Sequence, residues 1–274
     1  MKILKYAVRA GVLCAALFTT VMVNAQSVKL KVLSWNILSF EKEDKSGAEA
    51  GFPVEEYVDL VKAQNPDVVC FNEFETLTGA MYMKEKATEF AKELGMYPFF
   101  IHSYDKDSGY YGNVILSKYP IVNSGRVLLG MYAGADQRSA GWADILVPTD
   151  ANPTGVKVRI VCTHLDAFGG DETCYEQAKE VIAKAIEPAV AEGTPVILMG
   201  DMNCGPGTAA IAEYEKTGTR LCNNNGTFGG SKLDYFIGFP QGSWSCPDFR
   251  VLDSSTFYDL SDHYSISGTA VLNK

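Results

Sequence analysis

Residues 196–203, VILMGDMN, join a short apolar run to a polar turn that contains an aspartate and an asparagine. An apolar run of this length, with a proline before it and a glycine after it, is typical of a strand buried on both faces of a sheet. Loops at the ends of strands commonly carry functional groups. We therefore expect Asp201 and Asn203 to lie at the end of a central strand, within a functional site.

The same pattern of an apolar run that ends in polar residues recurs along the chain. The further examples are SWN with Asn36, VVCFNE with Glu73, RIVCTHLD with His164 and Asp166, KLDYFIG with Asp234, and DLSDHY with Asp262 and His263. Taken singly, a strand-end Asn or Asp is more commonly a turn former, and a lone His is more often a core residue. Glu73 differs, because a carboxylate directly after a buried strand is costly without a cation or hydrogen-bond donors.

The rest of the pattern predicts many strands and a few long helices. Strands are expected at 28–35, 67–74, 97–102, 112–118, 121–129, 142–148, 156–165, 194–201, 232–239 and 262–272, and helices at 53–64, 78–94, 171–191 and 207–217. Gly95 is expected to end the second helix, and Pro188 to bend or shorten the third. This order fits two packed sheets flanked by helices better than a single parallel sheet with strict βα alternation.

The first residues of the chain have the pattern of a secretory leader. Lys2, Lys5 and Arg9 precede an apolar core over 10–23, and Ala25 supplies the small residue expected at a cleavage point. The apolar core is shorter than the ~20 residues that span a bilayer. The sequence therefore predicts a signal peptide over residues 1–25 and a single exported domain over residues 26–274, in the periplasm or outside the cell.

Composition describes an ordinary acidic globular protein. Apolar residues make up 47% and charged residues 21% of the chain. The net charge is −9, and loss of the three leader cations would make it −12. This acidity argues against an extended electrostatic surface for binding nucleic acid. A nuclease is not excluded, because a local cationic site with a bound divalent ion can still engage one phosphodiester.

The cysteines allow disulfides without specifying them. Of the seven cysteines, Cys14 lies in the predicted leader, and no CxxC pair supports a zinc ribbon. Cys70 and Cys162 lie inside apolar runs and are expected to be buried thiols. A bridge between Cys204 and Cys222 is the first pairing we expect.

The polar residues at the strand ends form a chemically consistent set. Carboxylates and amides are hard oxygen donors that suit Mg²⁺, Mn²⁺ or Ca²⁺ better than a thiolate zinc site does. Histidines beside carboxylates can protonate or stabilise phosphoryl oxygens. Together they favour metal-assisted hydrolysis of a phosphoester.

Taken in order, these motifs resemble the endonuclease/exonuclease/phosphatase superfamily, whose fold is that of DNase I. The matching segments are SWNI, FNEF, GNVILSKYP, THLD, GDMN, KLDYFIG and SDHYSI, which span residues 34–266. The resemblance implies a four-layer α/β/β/α sandwich of two packed mixed sheets, with the site where the loops of the two sheets converge. It also implies a divalent-metal-dependent phosphoesterase.

The resemblance further implies a role for each matching residue. Glu73 would be the main metal ligand, with Asn36 beside it and Asp262 close enough to contribute. Asp201 would orient and deprotonate the attacking water. Asp262 and its neighbour would face different ways on an extended segment, and so serve metal and phosphate separately.

The histidines and the remaining amides would handle the phosphate. His263 would stabilise the transition state, oriented by Asp234, and His164 would be a proton donor or a phosphate contact. Asn203 would hold a phosphate oxygen. Asn113 matches a position where the superfamily often places a phosphate-contacting residue, although a turn asparagine at the start of a strand is an equal alternative. Arg138 is a candidate phosphate clamp, but an ordinary surface arginine is the better expectation.

The function that this set indicates is exported, metal-dependent hydrolysis of a P–O bond by in-line attack of water, with Mg²⁺ or else Mn²⁺ or Ca²⁺. A phosphodiester is favoured over a monoester. The substrate would be a small molecule, a lipid headgroup or nucleic acid, and we expect a monomer without a stable protein partner. The alternatives are a nuclease, a binding protein that kept the fold and lost the chemistry, and a metal-independent hydrolase, for which no GxSxG motif is present.

Overall fold

The computed structural model describes residues 28–40, 54–79, 81, 83–132 and 136–273. The predicted signal peptide over residues 1–25 lies outside these ranges. Within the described ranges, no helix is both long enough and apolar enough to cross a membrane.

The strands lie close to the positions that the apolar runs predict. In chain order they are β1 (Lys29–Asn36), β2 (Val68–Thr76), β3 (Tyr97–Lys106), β4 (Gly109–Ser117), β5 (Ile121–Leu128), β6 (Ser139–Thr149), β7 (Asn152–His164), β8 (Val196–Asp201), β9 (Thr219–Arg220), β10 (Asp234–Phe239), β11 (Trp244–Ser245), β12 (Arg250–Leu252) and β13 (Ser265–Leu272). The short strands β9, β11 and β12 have too few residues to show an apolar period, and the sequence does not indicate them.

The predicted helices are all found, with different ends, and one short helix over Ser255–Leu260 was not predicted. The helices are α1 (Val54–Gln64), α2 (Lys86–Leu94), α3 (Gly170–Val181), α4 (Glu187–Ala191), α5 (Ala209–Glu215) and α6 (Ser255–Leu260). α2 starts later than the predicted residue 78, because the Glu85 carboxylate accepts the Thr88 N–H and caps the helix there. Gly95 ends α2 in the left-handed conformation, as predicted.

The third predicted helix does not end early at Pro188. A π-helical turn over Ile182–Ile186 joins α3 to α4, and Pro188 lies in the first turn of α4. A proline is tolerated in a first helical turn, where an N–H would have no intrahelical partner. The helical segment therefore continues to Ala191.

The strands form two mixed sheets. The first has the order β11–β13–β1–β2–β4–β3, with β12 beside β13, and the second has the order β5–β6–β7–β8–β10–β9. β1 and β2 are parallel in the first sheet, and β7 and β8 are parallel in the second, whereas the other neighbours are antiparallel.

Three apolar clusters hold four layers together. One cluster packs α1, α2 and α6 on the outer face of the first sheet, and includes Trp35, Tyr57 and Phe257. A second fills the space between the sheets, and a third packs α3, α4 and α5 on the outer face of the second sheet. The predicted α/β/β/α sandwich is confirmed.

Candidate active site

Strand register places the polar strand ends of the second sheet side by side. His164 at the end of β7 is the register partner of Asp201 at the end of β8. Asp201 is also the register partner of Asp234, which begins the antiparallel β10. The carboxyl ends of parallel strands share one edge of a sheet, so the apolar strands of the second sheet deliver three predicted site residues to one place.

Glu73 enters the site from a bulge in β2. The register of β2 against β4 shifts between Phe71 and Phe74, and Glu73 has a left-handed backbone with φ of 56°. A bulge of this kind re-aims a side chain out of the regular ladder. The Glu73 side chain is 22% exposed, and its Oε1 accepts the Asn36 Nδ2–H at 2.9 Å. Burial raises the pKa of Glu73, and the Asn36 hydrogen bond partly opposes that shift.

Asn36 links the two principal carboxylates as a donor. Its Nδ2 donates to Glu73 Oε1 at 2.9 Å and to Asp201 Oδ2 at 3.0 Å, while its Oδ1 accepts the Leu38 N–H at 3.1 Å. An amide nitrogen carries hydrogens and does not bind a cation. The structure thus brings Asn36 to the site. Its role as a metal ligand stays a prediction, which requires the side-chain amide to flip so that Oδ1 faces the cation.

Asp201 lies at the centre of the set and is buried. Burial raises its pKa to about 7, although His263 opposes the shift. Its Oδ1 accepts the Asn203 N–H at 2.9 Å. Its Oδ2 lies 3.5 Å from His164 Nε2 and 3.6 Å from His263 Nε2. A carboxylate that titrates near neutral pH can take a proton from water at that pH, which is the property a general base needs.

His263 is held as an imidazolium by its acidic neighbours. Its Nδ1 lies 3.0 Å from Asp234 Oδ2. Burial lowers the pKa of His263, but Asp234 and Asp201 outweigh this effect and raise the pKa to about 10. The pair places a protonated donor beside Asp201, with Nε2 facing the base.

His164, unlike His263, is held as a neutral imidazole. It is buried, and burial together with the cationic Arg138 and His263 holds its pKa well below the usual range. Arg138 Nη1 lies 3.1 Å from His164 Nδ1. A guanidinium only donates, so Nδ1 is the acceptor and the ring proton lies on Nε2, which faces Asp201. The prediction of a surface arginine is wrong, because Arg138 is only 5% exposed and contacts a site histidine.

Asp262 supplies the best indication of a cation site. Its Oδ1 is buried and has no hydrogen-bond partner among the described residues. Burial is the main cause of the raised pKa of Glu73, and the charge of Asp262 adds to it, so the two carboxylates interact electrostatically. Two carboxylates that repel each other, one with an unpaired oxygen, fit a hard divalent cation.

A second group of potential metal ligands includes the hydrogen-bonded pair of Asp234 and His263. Asp201, Asp234 and His263 offer ligand atoms within 4.8 Å of one another. A histidine must be neutral to bind a metal, and His263 has a pKa of about 10 and shares Nδ1 with Asp234. The carboxylates of Glu73 and Asp262 are therefore the better fit at neutral pH.

The two predicted phosphate-binding asparagines have different positions. Asn203 follows β8 with φ of 49°, is half-buried, and donates from Nδ2 to Leu165 O at 2.9 Å. Asn113 is buried in the interior of β4, so it is not a turn residue. Its Oδ1 accepts the Asn72 Nδ2–H at 2.8 Å, and its Nδ2 points to Ser139 O at 3.3 Å. Both the oxygen and the nitrogen of the Asn113 amide are engaged between the strands, and phosphate binding by Asn113 stays a prediction.

Asn72 is a site residue that the sequence analysis missed. It is buried between the sheets, where its Oδ1 accepts the Asp201 N–H at 3.0 Å and its Nδ2 donates to Thr163 O at 2.9 Å. It therefore ties β2 of the first sheet to β7 and β8 of the second, directly beneath Asp201. The available signal was a polar residue inside the apolar run VVCFN, which is costly to bury unless it is fully bonded.

Phe228 was also missed. Its ring centroid lies 4.7 Å from that of His263, at an interplanar angle of 35°. The side chain is 39% exposed, so one part of the ring covers the histidine and another faces solvent. Phe228 lies in a loop of mixed composition, TFGGSK, that has no period to mark it.

Comparison with solved structures shows the same fold at low sequence identity. An endonuclease/exonuclease/phosphatase from Bacteroides vulgatus is 18% identical, with a TM-score of 0.71, over 90% of this chain and 100% of that one. A mannosyl-6-phosphatase from Bacteroides thetaiotaomicron is 18% identical, with a TM-score of 0.70, over 89% of this chain and 100% of that one. The human Nocturnin catalytic domain with bound sulfate is 18% identical, with a TM-score of 0.69, over 89% of this chain and 95% of that one.

Sequence comparison identifies the family. No curated protein matches the chain at a significant level. The sequence model of the Endonuclease/Exonuclease/phosphatase family matches residues 33–263, which contain every residue of the site described above. The family comprises phosphoesterases and nucleases built on this fold. The chain belongs to the endonuclease/exonuclease/phosphatase family.

Proposed function

We propose that the protein is a divalent-metal-dependent phosphodiesterase that hydrolyses a P–O bond by in-line attack of water. One observation carries the proposal. Asp201, a buried carboxylate with a pKa of about 7, lies between a protonated and a neutral imidazole. The Glu73 carboxylate, which with Asp262 suits a cation, shares the Asn36 amide donor with Asp201. This arrangement supports a base, a proton donor and a cation site in one group of side chains.

Each side chain has a chemical task in this proposal. Asp201 orients the attacking water and takes its proton. His263, protonated and fixed by Asp234, donates a hydrogen bond to the phosphoryl group as negative charge builds on it. His164 donates through Nε2 without carrying a charge, and Arg138 fixes that tautomer. A divalent cation held by Glu73 and Asp262 would neutralise charge on the phosphoryl oxygens.

With a divalent cation bound, the carboxylates and cations of the site balance, and no excess positive charge remains to favour the more highly charged monoester over a diester. Glu73, Asp201, Asp234 and Asp262 converge in the site, while Arg138 and His263 are the cations that act on Glu73. A phosphodiester carries one negative charge, whereas a monoester near neutral pH carries nearly two. A site without excess positive charge accepts the smaller charge at a lower electrostatic cost.

A monoesterase is the second candidate. The mannosyl-6-phosphatase that shares the fold supports it, although an identity of 18% conveys the fold alone. Nuclease activity on DNA or RNA remains the third candidate, and the acidic net charge of −9 argues against extended contact with nucleic acid. A non-catalytic binding protein has the least support, since the acids and imidazoles of the site are all present.

Hydrolysis of bis-p-nitrophenyl phosphate and p-nitrophenyl phosphate tests this proposal. The purified protein would be assayed with EDTA and then with added Mg²⁺, Mn²⁺ or Ca²⁺. We expect metal-dependent turnover with a higher kcat/KM for the diester. A higher kcat/KM for the monoester would replace the proposal by a phosphatase, and metal binding without turnover of either ester would move the search to lipids and nucleic acids.

Export is the second part of the proposal. The leader pattern over residues 1–25 supports cleavage after Ala25 and a location in the periplasm or outside the cell. The full chain would be expressed in a bacterium, and the protein released from the periplasm would be sequenced from its N-terminus. We expect that sequence to begin at Gln26. Recovery of an uncleaved chain in the cytoplasm would overturn this part and leave the proposed chemistry standing.

A further inference from the structure

Two buried thiols that the proposed chemistry does not use lie in contact beside the site. Cys174 belongs to α3, and Cys204 directly follows Asn203. Both side chains are buried in the apolar cluster between the helices and the second sheet. The two thiols are within hydrogen-bond contact of each other, and both are free in this structure.

The contact lies where two active-site loops meet α3. Cys174 Sγ donates to Asp166 O at 3.1 Å, in the loop that follows His164. The carbonyl of Cys204 accepts the Tyr235 hydroxyl at 3.0 Å. The thiol pair therefore adjoins the segment after β7 on one side and the segment after β8 on the other.

The pairing of Cys204 with Cys222 that the sequence suggested is not the one the structure favours. Cys222 interacts with Lys232 and the backbone of Phe236, whereas the hydrogen-bond partner of the Cys204 thiol is Cys174. Another pair, Cys70 and Cys162, also lies in contact, but on strands β2 and β7 inside the core between the sheets. Two thiols must approach to about 2 Å to form a bond. Cys204 lies in a loop and can make that approach more easily than two residues in packed strands.

We infer that Cys174 and Cys204 are a disulfide-forming pair that ties the loop carrying Asn203 to α3. In the reaction both S–H bonds break and one S–S bond forms. The two electrons and two protons pass to a disulfide oxidant, such as oxidised glutathione or a dithiol oxidase, which is reduced to two thiols. The bridge removes the Cys174 S–H donor from Asp166 O, so oxidation acts on both loops.

A bridge here would stabilise the protein. It would close a loop of about 30 residues in the unfolded chain and reduce its entropy. For a protein of this size we expect the Tm of the oxidised form to exceed that of the reduced form by roughly 5–10 °C. The inference goes beyond the proposed function and does not depend on turnover.

Mass spectrometry tests the pairing directly. The full chain would be equilibrated with oxidised glutathione, alkylated under denaturing conditions and digested without reductant. We expect a cross-linked peptide that joins Cys174 to Cys204 and disappears on reduction. Full alkylation of both cysteines after oxidation, or a peptide that joins Cys204 to Cys222, would overturn the inference.

Two variants show whether the bridge uses the proposed cysteines. Cys174→Ser keeps a donor for Asp166 O and should remove both the cross-linked peptide and the dependence of Tm on oxidation. Cys222→Ser, the matched control, should retain both. If Cys174→Ser keeps the same rise of Tm on oxidation as the parent protein, the stabilising bridge lies elsewhere and the inference is wrong.

Discussion

Replacing Arg138 with methionine would remove the group that fixes the tautomer of His164. The structure records one hydrogen bond from Arg138 Nη1 to His164 Nδ1 at 3.1 Å and a weaker one to the Tyr111 hydroxyl at 3.4 Å. Both lie in a buried environment, where a hydrogen bond from a charged donor contributes about 1.5–3 kcal/mol. Methionine fills similar space and donates nothing.

The expected loss of kcat/KM follows from the hydrogen bond between Arg138 and His164. If the interaction is fully used in the transition state, its loss lowers kcat/KM roughly 10- to 150-fold. Loss of the cation also removes a positive charge that interacts with the Asp201 carboxylate, so the pKa of Asp201 should rise. The acid limb of the pH profile of kcat/KM should then move to higher pH.

The assay is steady-state hydrolysis of bis-p-nitrophenyl phosphate at saturating metal across pH. Arg159→Met is the matched control, because Arg159 is also a buried arginine, paired with Asp144 at 2.6 and 2.9 Å in the middle of β7. Breaking that pair should cost about 3–5 kcal/mol of stability and leave kcat/KM of the folded protein unchanged. A kcat/KM for Arg138→Met within about threefold of the parent value would refute the role given to Arg138.

Two further predictions concern the pH profile and the inter-sheet contact. kcat/KM should rise as Asp201 loses its proton near pH 7 and fall as His263 loses its proton near pH 10. Asp234→Asn should bring the basic limb toward neutral pH, because Asp234 is the main charge that raises the pKa of His263; an unmoved basic limb would contradict this assignment. Asn72→Leu leaves buried groups of Asp201 and Thr163 without partners, so we expect urea denaturation to show a loss of about 3–5 kcal/mol. A loss below about 1 kcal/mol would mean that Asn72 does not hold the sheets together.

The sequence could predict the parts of the site that end apolar strands. VILMGDMN and RIVCTHLD mark buried strands by composition, and their ends mark Asp201 and His164. Strand register then brings these two residues together with Asp234. The convergence was predictable because the carboxyl ends of parallel neighbours share an edge.

The parts of the site that the sequence could not predict depend on tertiary contacts. Arg138 lies in DQRSAGW, which looks like an exposed segment, but its side chain is buried where it contacts Tyr111 of β4 and His164 of β7. The conformation of Glu73 depends on a bulge set by the register of β2 against β4. The contact of Cys204 with Cys174 arises from a helix and a loop that lie far apart in sequence. Local pattern carries no information on any of these.

The most direct test of the central claim measures the metal dependence of diester hydrolysis in Glu73→Gln. Its control is Glu75→Gln, two residues along β2, where the buried carboxylate pairs with Lys106 and Thr78. If Glu73 holds the cation that drives phosphodiester hydrolysis, Glu73→Gln should lower kcat/KM at saturating Mg²⁺ by at least about a hundredfold. Glu75→Gln should retain the Mg²⁺ requirement and the rate. Equal rates for the two variants, or turnover that persists in EDTA, would contradict the account.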